Sequence, residues 1–438
     1  MACTGPFPVV CARSVLYRLL SERVGRVLQD TRAKNTELKL LLACARWPQR
    51  ASDQLLIAEL GGQVRDWAHV VALARHHRVV PLVSRNLRAA LIEGVPEPAE
   101  AAVGELRRDA AAAAVRSFQL LSELRRVVGA LRAANVPVRV LKGFPLAHMV
   151  FGDIGLRAPG DLDLLIDHNQ LLEADRVLRE LGYTGLLDPR RFTPRQLAFY
   201  RAHWKDVTYT NDVLGIELDL HWRCFRNPRM PGGALCSTAA TQAARFGDLT
   251  LETMARVEGL LYLCVHGTLD GWIYLKSLAD VAAQVRELPE RDMDELAELA
   301  QTHGVLPELT AALLLVRSFF AVDHWSARLL PENDRIVSHI LRYVQETLEK
   351  REFIASRDEI PIGLTLRFEL GLRCGFKYRG EILRRVLYRA RMWETIPLPD
   401  WLFWAYPLLS LVEWLMFRVR SKRRLASPDS GPGTSKMD

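Results

Sequence analysis

Two aspartates separated by one leucine, Asp161 and Asp163, open the apolar run Leu164-Leu165-Ile166. Side chains in a strand alternate between faces, so both carboxylates point one way while Leu162 and Leu164 point the other. Carboxylates held that close repel, and each raises the other's pKa unless a cation lies between them. A divalent metal is the usual cation; two solvated aspartates at a strand end are the plain structural alternative. A second run, Gly215-Ile216-Glu217-Leu218-Asp219-Leu220-His221-Trp222, alternates as strictly and puts Glu217, Asp219 and His221 on one face. If the two strands are neighbours in one sheet, a third carboxylate joins the pair. Three unpaired acids are costly wherever water is partly excluded. They suit magnesium, a hard ion commonly held by carboxylates together with substrate phosphates.

The order of several short motifs carries a family resemblance. Leu141 to Gly143, Phe151 to Asp153, Leu156-Arg157, Asp161 to Ile166 and Asp219 to Arg223 read Leu-Lys-Gly, Phe-Gly-Asp, Leu-Arg, Asp-Leu-Asp-Leu-Leu-Ile and Asp-Leu-His-Trp-Arg. This order resembles the bacterial uncharacterised nucleotidyltransferase family of the polymerase-β-type nucleotidyltransferase superfamily. Asp66-Trp67 through Leu82, and Leu263 through Gly267 to Asp280, agree with it, so the resemblance spans roughly residues 35 to 285. It implies an α+β fold, with a polymerase-β-type nucleotidyltransferase mixed sheet flanked by helical N- and C-terminal regions. It also implies magnesium-dependent transfer of an NMP group from an NTP to a hydroxyl or phosphate acceptor, with release of pyrophosphate. The acceptor is not specified by these residues. The wider superfamily has a Gly-Gly or Gly-Ser pair after the first strand to hold the triphosphate, and here Gly143-Phe144-Pro145 stands in its place. The alternative reading is therefore a catalytically silent nucleotidyltransferase-like protein that binds nucleotide or partners a biosynthetic enzyme.

Within that frame Asp161 and Asp163 would hold two magnesium ions, because in-line displacement needs carboxylates that bridge an activating and a leaving-group ion. The resemblance favours Asp219 as the third ligand, able also to help accept the hydroxyl proton, and Glu217 on the same face is its rival. Lys142 and Arg157 would meet triphosphate oxygens, Arg157 through its bidentate fork. The competing role for Arg157 is an ion pair with Asp153 or Asp161. Gly143 would serve through a positive φ or through close approach of a phosphate. His221 reads as a catalytic or a core histidine. His266 and Asp270, like Lys276 and Asp280, are four apart and share helix faces, while Trp272 suits core packing better than base stacking.

The elements that must position these residues can be sketched from periodicity. Helical patterns fill a region over residues 1–98, interrupted at Pro48 and Gly61-Gly62. The catalytic core is expected over 99–246. It begins with a long helix from Ala99 to Ala134 whose stripe Leu120, Leu121, Leu124, Val127, Val128 and Leu131 faces the sheet. Asn135-Val136-Pro137 ends that helix and starts a strand over Val138 to Lys142. An amphipathic helix follows from Asn169 to Leu181, stopped by Gly182, and strands near Val207 to Thr210 and Gly215 to Trp222 form a hairpin. The insert Leu186 to Lys205, rich in arginine and aromatics, is expected to be mobile. Helices fill a C-terminal domain over 247–425, and the tail 426–438 has almost nothing to bury and is expected to be disordered.

Composition sets outer bounds. Of 438 residues, 49% are hydrophobic and 25% charged, which suits a globular chain and excludes wholesale disorder. The net charge of +8 fits an anionic substrate such as a nucleotide, yet it is too diffuse to predict specific nucleic-acid binding. Seven cysteines include no CxxC pair and no zinc spacing with histidine, and the first residues lack a secretory pattern, so a reducing cytoplasm is the expected compartment. One segment complicates this. Residues 401–417 are nearly all apolar and aromatic, and Arg418, Arg420, Lys422, Arg423 and Arg424 follow at once. The stretch is too short to span a bilayer and contains Pro407, Ser410 and Glu413. It reads either as a final helix docked on the helical domain or as peripheral contact through 401–424 with anionic lipid at the inner membrane face.

Overall fold

A computed structural model of the chain describes residues 36–91, 97–322, 329, 334–349 and 360–413. The helix expected within residues 1–35, the disorder expected over 426–438 and the basic run from Arg418 all fall outside the described residues. The fold is a mixed α+β structure built on a five-stranded sheet in the order β1-β2-β5-β4-β3. The strands are β1 Arg139–Val140, β2 Leu162–Leu165, β3 Thr184–Gly185, β4 Asp206–Asn211 and β5 Ile216–His221. β2 and β5 are parallel neighbours and all other pairings are antiparallel. Leu162, Leu164, Leu218 and Leu220 are buried on the apolar face, as strict alternation requires.

Behind that face lies the long helix Glu97–Ala133. Leu120, Leu124, Val127, Val128 and Leu131 are buried and pack with the sheet, and Asn135, at φ 57, turns the chain back toward β1. Helix Leu171–Glu180 joins the same core through Leu171, Ala174, Val177 and Leu178, and Gly182 at φ 86 stops it. The first strand is shorter than the Val138 to Lys142 run suggested, although Leu141 N–H still donates to Asp163 C=O at 3.1 Å.

One expectation, the mobile insert, needs correction. The insert Leu186 to Lys205 forms an ordered helix, Pro194–His203, started by a reciprocal cap between Thr193 and Gln196 and seated among aromatic rings. The boundary placed at 246/247 falls on the turn of a hairpin, β6 Thr241–Phe246 with β7 Leu249–Met254. Gly247, at φ 62, makes that turn. Described residues of the regions 1–98, 99–246 and 247–425 share two apolar cores. One apolar core joins the N-terminal helices to those from Arg256 to Leu387, and a second joins the sheet to Ala390, Trp393, Phe403 and Tyr406. The long helix contributes to both, with Ala99, Ala102 and Leu106 in the first and its later turns in the second.

Trp272 is 2% exposed and its ring occupies the space a side chain on Gly267 would need, so it is core. Cys224 and Cys236 are joined as a disulfide with Cα atoms 5.5 Å apart, a pairing their spacing did not announce. Cys44 and Cys264 are buried thiols. Among the described residues no helix is long and apolar enough to cross a membrane.

Candidate active site

Parallel pairing of β2 with β5 sets Asp163 directly beside Asp219, because the register matches Leu162 to Leu218 and Asp163 to Asp219. Period-two alternation then aligns His221 with them on β5 and Thr208 and Asp206 on β4. Asp161 sits on the bend just before β2 and lines the same cleft of about 330 Å³. Lys142 reaches it from the end of the first strand, His266 and Asp270 from helix Arg256–Leu269, and Tyr378 and Arg385 from helix Phe376–Leu387.

The buried carboxylate of Asp163 is the centre of the arrangement. Its Oδ1 lies 3.2 Å from His221 Nε2, and its Oδ2 lies 3.2 Å from Lys142 Nζ without an aligned hydrogen bond. Burial pushes this carboxyl up, but the Lys142 ammonium and the His221 ring outweigh it and hold it far below the usual carboxylate range. Burial likewise works against the Lys142 charge, and Asp163, then Asp161, hold that ammonium above the usual lysine range.

A chain of polar contacts continues outward. Lys205 Nζ lies 3.4 Å from His221 Nδ1 and 2.6 Å from Asp206 Oδ2. His221 thus meets Asp163 through Nε2 and the Lys205–Asp206 pair through Nδ1, which lies 3.6 Å from Asp206 Oδ2. Asp219 Oδ1 accepts from the Thr208 hydroxyl at 2.6 Å. Burial raises the pKa of Asp219, and burial followed by the Asp219 charge raises that of Glu217. Asp206 is pulled down against its burial by Lys205 and His221.

Donor atoms from Asp163, Asp219 and His221 all lie within 4.8 Å of one another. Two carboxylates and an imidazole that converge in this way can hold a divalent ion, and the unbonded Oδ2 of Asp163 offers it an oxygen. Asp161 lines the same cleft but lies outside that cluster of donor atoms. Glu217 is more exposed than Asp219 and does not line the cleft.

One sequence-predicted residue, Arg157, is placed differently from expectation. Arg157 pairs with neither Asp153 nor Asp161. Its fork grips Asp280, with Nε 2.8 Å and 2.9 Å from the two carboxylate oxygens, and its Nη1 donates to Gly143 C=O at 3.3 Å. Both partners are buried, and Arg157 does not line the cleft. Gly143 is at φ 75, and a side chain there would meet nothing closer than 3.9 Å, so backbone conformation and not crowding requires glycine. Arg157 therefore anchors the Gly143 turn from behind. The Lys276 ammonium donates to Ala158 C=O at 2.7 Å and braces the same loop.

Sequence reasoning missed Lys205, Asp206, Thr208 and Arg226, which all line the cleft. Asp206 and Thr208 had a signal available, since they alternate with Val207 and Tyr209 opposite the acidic strand. His266 pairs with Asp270 at 3.2 Å, as four-residue spacing suggests.

A family model described as an uncharacterised nucleotidyltransferase matches residues 63–321, more than half of the chain. The chain belongs to that uncharacterised nucleotidyltransferase family. Neither a curated protein nor a solved structure matches it significantly.

Proposed function

We propose that the protein transfers an NMP group from an NTP to a hydroxyl or phosphate acceptor in a polymerase-β-type, magnesium-dependent reaction. The observation that carries this reading is the parallel register that sets Asp163 beside Asp219 in a cleft shared with Asp161 and Lys142. Family membership supports it.

Asp161, Asp163 and Asp219 would hold magnesium, which supplies charge neutralisation for the phosphates when bound. His221 orients Asp163 by donating to Oδ1, a contact of the type that fixes ligand geometry around metals. Thr208 does the same for Asp219. Lys142 and Lys205 place two ammonium groups on the cleft wall, where phosphate oxygens meet them, and Arg226 and Arg385 add positive charge farther along. The Asp219 carboxylate, beside the ion it would help to hold, is placed to take the acceptor's hydroxyl proton.

One observation favours the silent alternative: Lys142 Nζ already stands 3.2 Å from Asp163, where a cation belongs. Incubating the protein with α-labelled NTPs, magnesium or manganese and cell extract separates the two. Label transferred to an acceptor only with metal supports transfer. Calorimetric binding of NTP with no transfer and no metal requirement supports the silent reading.

A further inference from the structure

The segment after the last cleft-lining helix has two faces of opposite character. Residues 400–405 form a 3₁₀ turn and residues 406–413 a helix. Phe403, Tyr406 and Ser410 are buried: Phe403 and Tyr406 lie in the core behind the sheet, the Tyr406 hydroxyl donates to Ile396 C=O, and Ser410 donates to Leu387 C=O. Trp401, Trp404, Leu408, Leu411 and Val412 point the other way and are 71%, 59%, 55%, 48% and 50% exposed. Spacings of three and four residues put these five on one side of the segment. Docking on the core and an exposed apolar ridge are thus both true of this stretch, on opposite sides.

We infer that this ridge is a docking surface for an anionic phospholipid membrane. Two tryptophans backed by leucines and a valine suit the headgroup boundary, where an indole is apolar in body and polar at one edge. Of the acids in the segment, Glu413 pairs with Arg389 at 3.1 Å and Asp400 accepts from the Thr193 hydroxyl. Arg195 lies over the Phe403 ring and donates to Asp400 C=O. In the sequence a basic run, Arg418, Arg420, Lys422, Arg423 and Arg424, begins five residues after Glu413. Basic residues next to an apolar ridge in the chain add to its insertion on an anionic surface and add little on a neutral one. This inference is independent of the acidic cleft.

Cosedimentation of the full chain with vesicles tests it without any enzymatic readout. The protein should sediment with mixed phosphatidylcholine and phosphatidylglycerol vesicles and stay in solution with pure phosphatidylcholine. Trp401→Ala with Trp404→Ala, and separately Leu411→Ser with Val412→Ser, should weaken partitioning by at least about tenfold while leaving the melting temperature unchanged, because these side chains face outward. Failure of the intact protein to bind anionic vesicles overturns the inference. So does binding that both double variants leave intact, since that would place the contact elsewhere. Light scattering covers the other occupant: a dimer in solution that the tryptophan variant dissolves would assign the ridge to a second copy and also overturn it.

Discussion

Asp163 and Asp219 are adjacent through strand register, whereas Glu217 shares their face but sits one step outward in solvent. Metal affinity should follow that geometry. Asp163→Asn and Asp219→Asn are each expected to weaken manganese binding by at least about tenfold in calorimetry, and Glu217→Gln much less. A larger loss for Glu217→Gln would show that the wrong carboxylate has been assigned. The pair at 161 and 163 and the alternation of 217, 219 and 221 were readable because period two survives in any strand. Asp206 was readable through its alternation with Val207 in the expected hairpin, whereas Lys205 lies just before the strand and carried no such signal. Two histidines add a pH dependence. Burial, against partial compensation by Asp270, pushes His266 down to about 4, and burial followed by His76 pushes His77 to about 3. Both are depressed in the folded state, so the unfolded chain binds more protons below about pH 6.5. Their contribution to stability is complete above that pH and is lost as the pH falls toward 4. The melting temperature should drop across this window, and His266→Asn should flatten the slope.

The loop 152–161 shows how elements position a site that they do not themselves form. It carries Asp161 into the cleft and is held from behind by Arg157 on Asp280 and by Lys276 on Ala158 C=O. Both charges of the ion pair are buried, so removing one strands the other. Arg157→Met should cost about 3–5 kcal/mol in urea denaturation, and the double change with Asp280→Leu should recover most of it. If Arg157→Met left stability intact and acted only on nucleotide affinity, its expected contact with triphosphate would be reinstated. The sequence made Arg157 conspicuous but could not choose its partner, because Asp280 lies 123 residues away on another helix. The β6–β7 hairpin escaped for a different reason. Leu249, Leu251 and Gly247-Asp248 did supply alternation and a turn, but the helical periodicity that resumes at Arg256 drew the boundary too early.

At the scale of the molecule, core formation ignores the order of the chain. Residues 390–406 lie after all the helices of the first core, yet they complete the second core, behind the five-stranded sheet. Trp393 is the pivot: it is 2% exposed and meets Phe192 at 5.3 Å and Trp204 at 5.5 Å edge to face, and Phe403 at 5.6 Å. Such ring pairs add to the large area an indole buries. No periodicity joins position 393 to position 192, and for that reason a separate C-terminal domain was expected. Trp393→Ala should therefore cost about 3–5 kcal/mol, the range for emptying a large aromatic from a packed core. The loss should be felt by the sheet and not by the C-terminal segment alone. Because the long helix Glu97–Ala133 belongs to both cores, unfolding should remain a single transition that shifts as a whole. Far-ultraviolet circular dichroism and near-ultraviolet signals from the aromatic cluster should move together in denaturant. A variant in which the aromatic signal is lost first, while helicity and its midpoint stay in place, would show that the C-terminal residues are an appendage and not part of the body that holds the acidic site.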